Sequence, residues 1–316
     1  MFIEQGIRPE NQFWKYIVGS ILIIMASFVG QIPMLIGIVY ETLVNKKRYP
    51  SSNEEVMRFF EPNMTLFLLL ISFVFALIGI YFVVRYLHNQ TMLSVTTSRP
   101  KIDWSRVFFS FFLWAVFTII TTLFFYWSNP ENFTVNFKPV PFAILVVIGV
   151  VLMPFQTSTE EYVFRGYLMQ GFANLSGNKW FPLLMTSVIF GLMHISNPEV
   201  AKMGNIIMIY YIGTGLFLGI ITLMDEGMEL ALGFHAANNL VSALLVTSDW
   251  SAFQTHSIFR DVSIPSASLD VLLPVFIIFP ILLKIFSSKY NWNNWKEKLT
   301  GKILLVDNNI IKNENE

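Results

Sequence analysis

The stretch "FAILVVIGVVLMPFQTSTEEYVFRGYL", residues 142–168, decides how the chain is read. Its first half is an unbroken apolar run. Its second half carries two adjacent carboxylates, Glu160 and Glu161, and a cation, Arg165. The run is about as apolar as a segment that crosses a hydrocarbon core, which takes roughly 20 such residues. The three charges on its helical continuation therefore need an explanation, because ionisable groups in membrane helices are costly and mark function by default.

The rest of the chain has the same character. Of its 316 residues, 54% are hydrophobic and 13% charged, against about 25% charged in soluble domains, and the mean hydropathy is +0.56. Apolar stretches recur at 14–44, 64–87, 104–127, 139–156, 180–196, 203–224, 228–247 and 268–287. They predict an all-α, polytopic transmembrane bundle of about eight spans, forming one integral membrane domain over 1–316. Gly30 and Pro33 predict a tilt or kink in the first and longest stretch. Continuous rather than alternating hydrophobicity argues against a β-barrel. The first run starts at Trp14, after Glu4, Arg8 and Glu10, and is too long for a cleavable signal, so it is expected to stay as an anchor.

There is no cysteine, which removes disulfides, thiolate metal sites and cysteine catalysis. Twenty-one Lys and Arg balance 21 Asp and Glu, so nothing suggests a polyanionic partner, and no nucleic-acid signature is present. Eight spans put both termini on one side. That side collects Arg8, Lys15, Arg99, Lys101, Arg106, Lys179 and the tail lysines, which predicts cytoplasmic termini in the cell membrane; Lys46, Lys47, Arg48 and Arg58 oppose it. Residues 288–316 read as an interfacial segment with Trp292 and Trp295, followed by a polar end. Arg85, His88 and Lys284 fall at span ends, where snorkelling accounts for them.

Inside the spans the ionisable and amide residues are few. Glu161 and Arg165, four apart, share a helix face and can pair; Glu160 is turned by about 100° from Glu161. An interfacial salt bridge is the bland alternative. Thr157 or Ser158 is a candidate cap for the helix that carries them. His194 follows Phe190 by one turn, and His235 and Asn239 project from one face of another helix. Alone, His194 reads as a core histidine and Phe190 as packing. So many polar groups without a shared site would be hard to accommodate in lipid.

Glu160-Glu161-Tyr-Val-Phe-Arg165, Phe190-Gly-Leu-Met-His194 and His235-Ala-Ala-Asn-Asn239 resemble, in that order, the EExxxR, FxxxH and HxxxN motifs of the CPBP family. These are the CAAX proteases and bacteriocin-processing enzymes, also called Abi, and the pattern is similar to CAAX prenyl endopeptidases of the Ras-converting type. The resemblance covers residues 140–247, the catalytic core, and implies a glutamic intramembrane endopeptidase. It implies that Glu160 and His194 activate water, that His235 and Asn239 stabilise the oxyanion, and that Glu161, Arg165 and Phe190 support them. The chemistry suits hydrolysis, which needs a base and donors aimed at the tetrahedral oxygen.

No cofactor is expected. Zinc on two histidines and a glutamate is the alternative, disfavoured by the adjacent Arg165 and the lack of HExxH. Serine and aspartyl intramembrane chemistries lack their residues: there is no GxSx nucleophile, and Asp225 and Asp270 lie at span ends. The expected partners are the bilayer and a membrane-associated, lipidated or peptide substrate. Two further readings are a non-enzymatic bacteriocin-immunity or scaffold protein, and a transporter with a midplane proton relay.

Overall fold

A computed structural model describes residues 1–265 and 269–303. The architecture is mainly helical, with α1 (Phe13–Leu43), α2 (Pro62–Leu87), α3 (Trp104–Ser128), α4 (Pro139–Ser176), α5 (Trp180–Leu192), α6 (Ile207–Asp225), α7 (Glu229–Leu245) and α8 (Val271–Tyr290). Six of these, all but α5 and α7, are long and apolar enough to cross a membrane. The chain is thus an integral, multi-pass membrane protein. Among the described residues, the two remaining stretches fold into shorter helices than the sequence suggests. At 1.5 Å per residue, the 13 residues of α5 and the 17 of α7 reach about 20 and 25 Å. The apolar windows around them extended into the turns beyond their ends.

The helix ends follow local chemistry. Glu61 accepts the Met64 amide at 3.2 Å ahead of α2, with Pro62 in the first helical position. Asp103 accepts the Ser105 amide at 3.0 Å ahead of α3. α1 runs through Pro33 without a break in the helix. α4 begins at Lys138–Pro139 and passes through 157–158 without interruption, so neither Thr157 nor Ser158 caps a helix. The Thr157 hydroxyl instead donates back to the Met153 carbonyl at 3.1 Å, as a mid-helix threonine does.

Tails and loops close the two ends of the bundle. At one end the Phe2 amide donates to Glu226 at 2.7 Å, residues 97 and 227 form a bridge, and residues 178 and 302 form another. At the other, a small sheet joins β1 (Phe133–Val135), β2 (Val246–Ser248) and β3 (Phe259–Asp261). β3 lies in the middle, antiparallel to β1 and parallel to β2, with Arg260 opposite Thr134 and Thr247. The hydrophobic pattern gave no sign of these three-residue strands.

Large apolar side chains such as Phe28, Ile36, Phe112, Ile120 and Phe124 face outward, as a lipid-facing surface requires. α6 is the central helix: 56% of its apolar window is buried, against 17% for α3. α7 packs on α3 at Gly233, where an added Cβ would lie 2.0 Å from the Val107 carbonyl oxygen. Only glycine allows that approach. Trp114, Phe217, Phe234, Phe279 and Phe286 then fill the space between α3, α6, α7 and α8.

Two polar groups at span ends are buried, and His88 departs from its sequence reading. Asp225 is buried, paired with Arg99 at 3.0 Å and Arg106 at 2.5 Å; the side chain of Asp270 lies outside the described residues. His88 does not snorkel. It is fully buried, with Nδ1 3.0 Å from Asn11 Oδ1, Nε2 2.9 Å from the Tyr167 hydroxyl, and Tyr16 against its ring. Burial, reinforced by the Lys15 charge, pushes its imidazole down from 6.5 to about 4. The unfolded chain binds this proton near 6.5 and the folded chain only near 4. The stability His88 contributes is therefore complete above that upper value and is lost as pH falls through the window. Thermal unfolding in detergent is expected to show a Tm that drops across this range. In His88→Gln, which cannot titrate, the drop should be shallower; an identical slope would refute the assignment.

Candidate active site

α4 changes character where its charges begin. Regular α-helix ends at Glu161, and Tyr162–Leu168 form a wider π turn, a feature that often marks functional positions. Glu161 and Arg165 face each other across it, both fully buried, with Nη1 of Arg165 3.0 Å from Glu161 Oε1. Nη2 donates to the Gly215 carbonyl of α6 at 3.2 Å, and the guanidinium lies 4.4 Å from the centre of the Phe190 ring of α5. At Gly215 an added Cβ would come within 2.8 Å of the Ser187 carbonyl oxygen. A side chain there would push α5 and α6 apart and open the slot that holds Arg165.

Glu161 also receives His235. Nδ1 of His235, on α7, stands 2.6 Å from Glu161 Oε1. An ionised carboxylate only accepts, so Nδ1 carries the proton, and this contact fixes which way the ring faces. The opposite nitrogen, Nε2, then points at Glu160 Oε2, 3.5 Å away. That oxygen is buried and has no hydrogen-bond partner. The other oxygen of Glu160 accepts from Gln156 Nε2 at 2.5 Å. The two adjacent glutamates are thus divided as helix geometry predicts: Glu161 takes Arg165, and Glu160 faces elsewhere.

Asn239 Nδ2 donates to Gln156 Oε1 at 2.9 Å, and Asn239 Oδ1 accepts from Asn238 Nδ2 at 3.0 Å. Asn238 Oδ1 in turn accepts the indole N–H of Trp114 at 3.1 Å. The sequence alone does not single out Gln156, Asn238 or Trp114. Gln156 carried a usable signal, since it precedes Glu160 by one helical turn. The Trp114–Asn238 contact spans 124 positions and leaves no local trace.

His194 is not within a helix. α5 ends at Leu192, and His194 occupies the turn that follows. Its Nδ1 lies 2.8 Å from the Phe190 carbonyl oxygen, and its ring stacks on Tyr211 of α6 at 4.5 Å. Among the described residues it makes no hydrogen bond or ion pair with Glu160. Phe190 intervenes, its ring 4.8 Å from His194 and 6.0 Å from His235. The structure therefore gathers Glu160, Glu161, Arg165, His235, Asn239 and Phe190, and attaches His194 through the phenyl ring.

Beyond His194 lies another carboxylate that sequence reading passed over. Glu199 Oε1 accepts the Ala252 amide at 2.7 Å, and its Oε2 is buried without a partner. Burial raises its pKa, partly offset by the Ala252 hydrogen bond and the nearby His194. Among the described residues no three His, Asp or Glu side chains are arranged to hold a metal ion. In the cluster itself, Glu161 Oε1 is already taken by two donors.

Residues 136–241 match a family model described as Type II CAAX prenyl endopeptidase Rce1-like. The segment resembles that family and makes up about a third of the chain. It contains every residue of the cluster just described except Trp114. The similarity is to a family whose description names a prenyl endopeptidase, and it is confined to this segment. The chain is also 29% identical, over 251 residues, to the uncharacterized protein YyaK of Bacillus subtilis (strain 168), covering 78% of this chain and 83% of that one. No solved structure matches.

Proposed function

We propose that the protein is a glutamate-dependent endopeptidase that hydrolyses a peptide bond in a membrane-associated or lipidated chain. The observation that carries this reading is the buried, unpartnered Oε2 of Glu160 beside His235 Nε2. A carboxylate oxygen left without a donor in such a place is suited to accept a proton from water. Glu160, with His194 lining the approach, takes one proton as the water oxygen attacks the scissile carbonyl. The proton passes to the amine nitrogen as the C–N bond breaks.

His235 and the second N–H of Asn239 stabilise the tetrahedral oxyanion. Glu161 contributes indirectly. By accepting Nδ1–H it aims Nε2 of His235 toward the reacting atoms, while Arg165 holds Glu161 in place. The reaction so written is metal-free, in keeping with a donor set in which an arginine occupies the carboxylate a cation would need. The substrate comes from the bilayer. A prenylated C-terminal CAAX segment is the first candidate, because that is what the matched family's description names. No nucleic acid takes part. The lysine- and arginine-rich end that holds both tails faces the cytoplasm of the cell membrane.

The test is cleavage of a quenched fluorescent peptide ending in a farnesylated CAAX sequence, with mass spectrometry of new termini in membranes that contain or lack the protein. Cleavage is expected to persist in excess chelator. Loss of activity restored by zinc would replace the mechanism with a metal-dependent one. No new termini and no peptide cleavage would favour the immunity or scaffold reading.

A further inference from the structure

Five side chains on three helices are joined end to end: Trp114 on α3, Asn238 and Asn239 on α7, and Gln156 and Glu160 on α4. The four links measure 3.1, 3.0, 2.9 and 2.5 Å. Both ends of this series have a fixed sense. An indole N–H can only donate, and an ionised carboxylate can only accept. Each carboxamide between them must then accept on the Trp114 side and donate on the Glu160 side. No member can turn over without leaving a donor against a donor or an acceptor against an acceptor.

We propose that Trp114, Asn238 and Gln156 are positioning residues that act as one directional hydrogen-bonded chain. The chain fixes the Asn239 amide with one N–H free and commits one oxygen of Glu160, so that the other is the basic one. The idea rests on the proteolytic reading of Glu160 and Asn239 given above, and extends it in two ways. It assigns the base to a particular oxygen, Oε2, which faces His235 and has no donor. It also recruits α3, outside the Rce1-like segment, because Trp114 sets the sense of the whole series.

The packing supports the anchor. Trp114 is buried, with Phe234 4.4 Å and Phe117 5.0 Å from its ring. The close approach of α3 to α7 at Gly233 holds its N–H against Asn238. The charged groups around Glu160 come from α4 and α7, namely Glu161, Arg165 and His235. None of them contacts the amide side of the carboxylate, which is left to Gln156. Hydrogen bonds in series polarise one another, so the series acts as a unit and not as four separate contacts.

The experiment compares Trp114→Phe, Gln156→Met, Gln156→Glu and the Trp114→Phe/Gln156→Met pair on the farnesylated peptide, in full-length protein checked for monodispersity and Tm. Each single break is expected to lower kcat by about tenfold with KM within about twofold, as loss of precise placement does. The pair should be no worse than about the poorer single variant, since a chain cut once has already lost its sense. Gln156→Glu keeps the shape but cannot donate when ionised, and should be poorer than Gln156→Met. A role in filling space predicts the reverse order.

A readout independent of substrate is the carboxamide nitrogen-15 spectrum in nanodiscs. Glu160→Gln should shift the side-chain resonance of Asn238, which it does not touch. Multiplying kcat losses, a fully active Gln156→Glu, or an unmoved Asn238 signal would each overturn the chain. A Glu160→Gln protein that still cleaved the peptide would instead overturn the proteolytic reading beneath it.

Discussion

Glu160→Gln should lower kcat by about a thousandfold while the protein stays folded and inserted. The substitution preserves size and can still meet Gln156, so the buried contacts change little. What disappears is the proton acceptor at Oε2, the atom that has no donor of its own and stands 3.5 Å from His235 Nε2. The measurement is kcat and KM on the farnesylated peptide, with Tm in detergent as the folding control. Removal of a general base alters the transition state and leaves ground-state binding nearly alone, so the loss belongs in kcat. A variant with unchanged kcat would leave Glu160 as a structural carboxylate and return the search for a base to Glu161 and Glu199, the other carboxyls with a buried, unpartnered oxygen among the described residues.

The second large effect is on stability. Arg165→Met should destabilise the fold by about 3–5 kcal/mol, the range for breaking a buried pair by removing one partner. Arg165 is fully buried and touches α5, α6 and its own helix through Phe190, Gly215 and Glu161. Without it, Glu161 is a buried charge with the Nδ1–H of His235 as its remaining donor. Methionine fills much of the volume, so the loss is mainly electrostatic. Adding Glu161→Gln should recover part of the stability, because a neutral pair avoids the stranded charge. The comparison is thermal or denaturant unfolding of wild type, single and double variants. A single variant as stable as wild type would mean that water reaches Glu161.

Much of this arrangement is legible in the amino-acid sequence itself, because its parts are local. The apolar runs give the helices, the spacing of four gives the Glu161–Arg165 pair, and the same spacing puts His235 and Asn239 on one face. The losses are all long-range or geometric. Nothing in the order of residues says that His235 turns its Nδ1 to Glu161, or that Trp114 reaches Asn238. His194 looks helical because the apolar window runs on to residue 196, whereas α5 stops at Leu192. His88 reads as a surface group because its buried partners, Asn11 and Tyr167, come from opposite parts of the chain. Thr157 reads as a cap because its type suits one, yet the helix had begun eighteen residues earlier at Pro139.

The wide turn at 162–168 has an effect on the whole of α4. Ahead of it, Gln156 and Glu160 look toward α7. After it, Met169 and Ala173 settle against Ile3 and Leu183, and Gln170 donates to the Ser94 carbonyl at 2.9 Å. By taking one more residue into its turn, the helix changes phase once, midway along its length. One continuous rod of 38 residues thus meets α7 before the turn and α5 and the N-terminal segment after it.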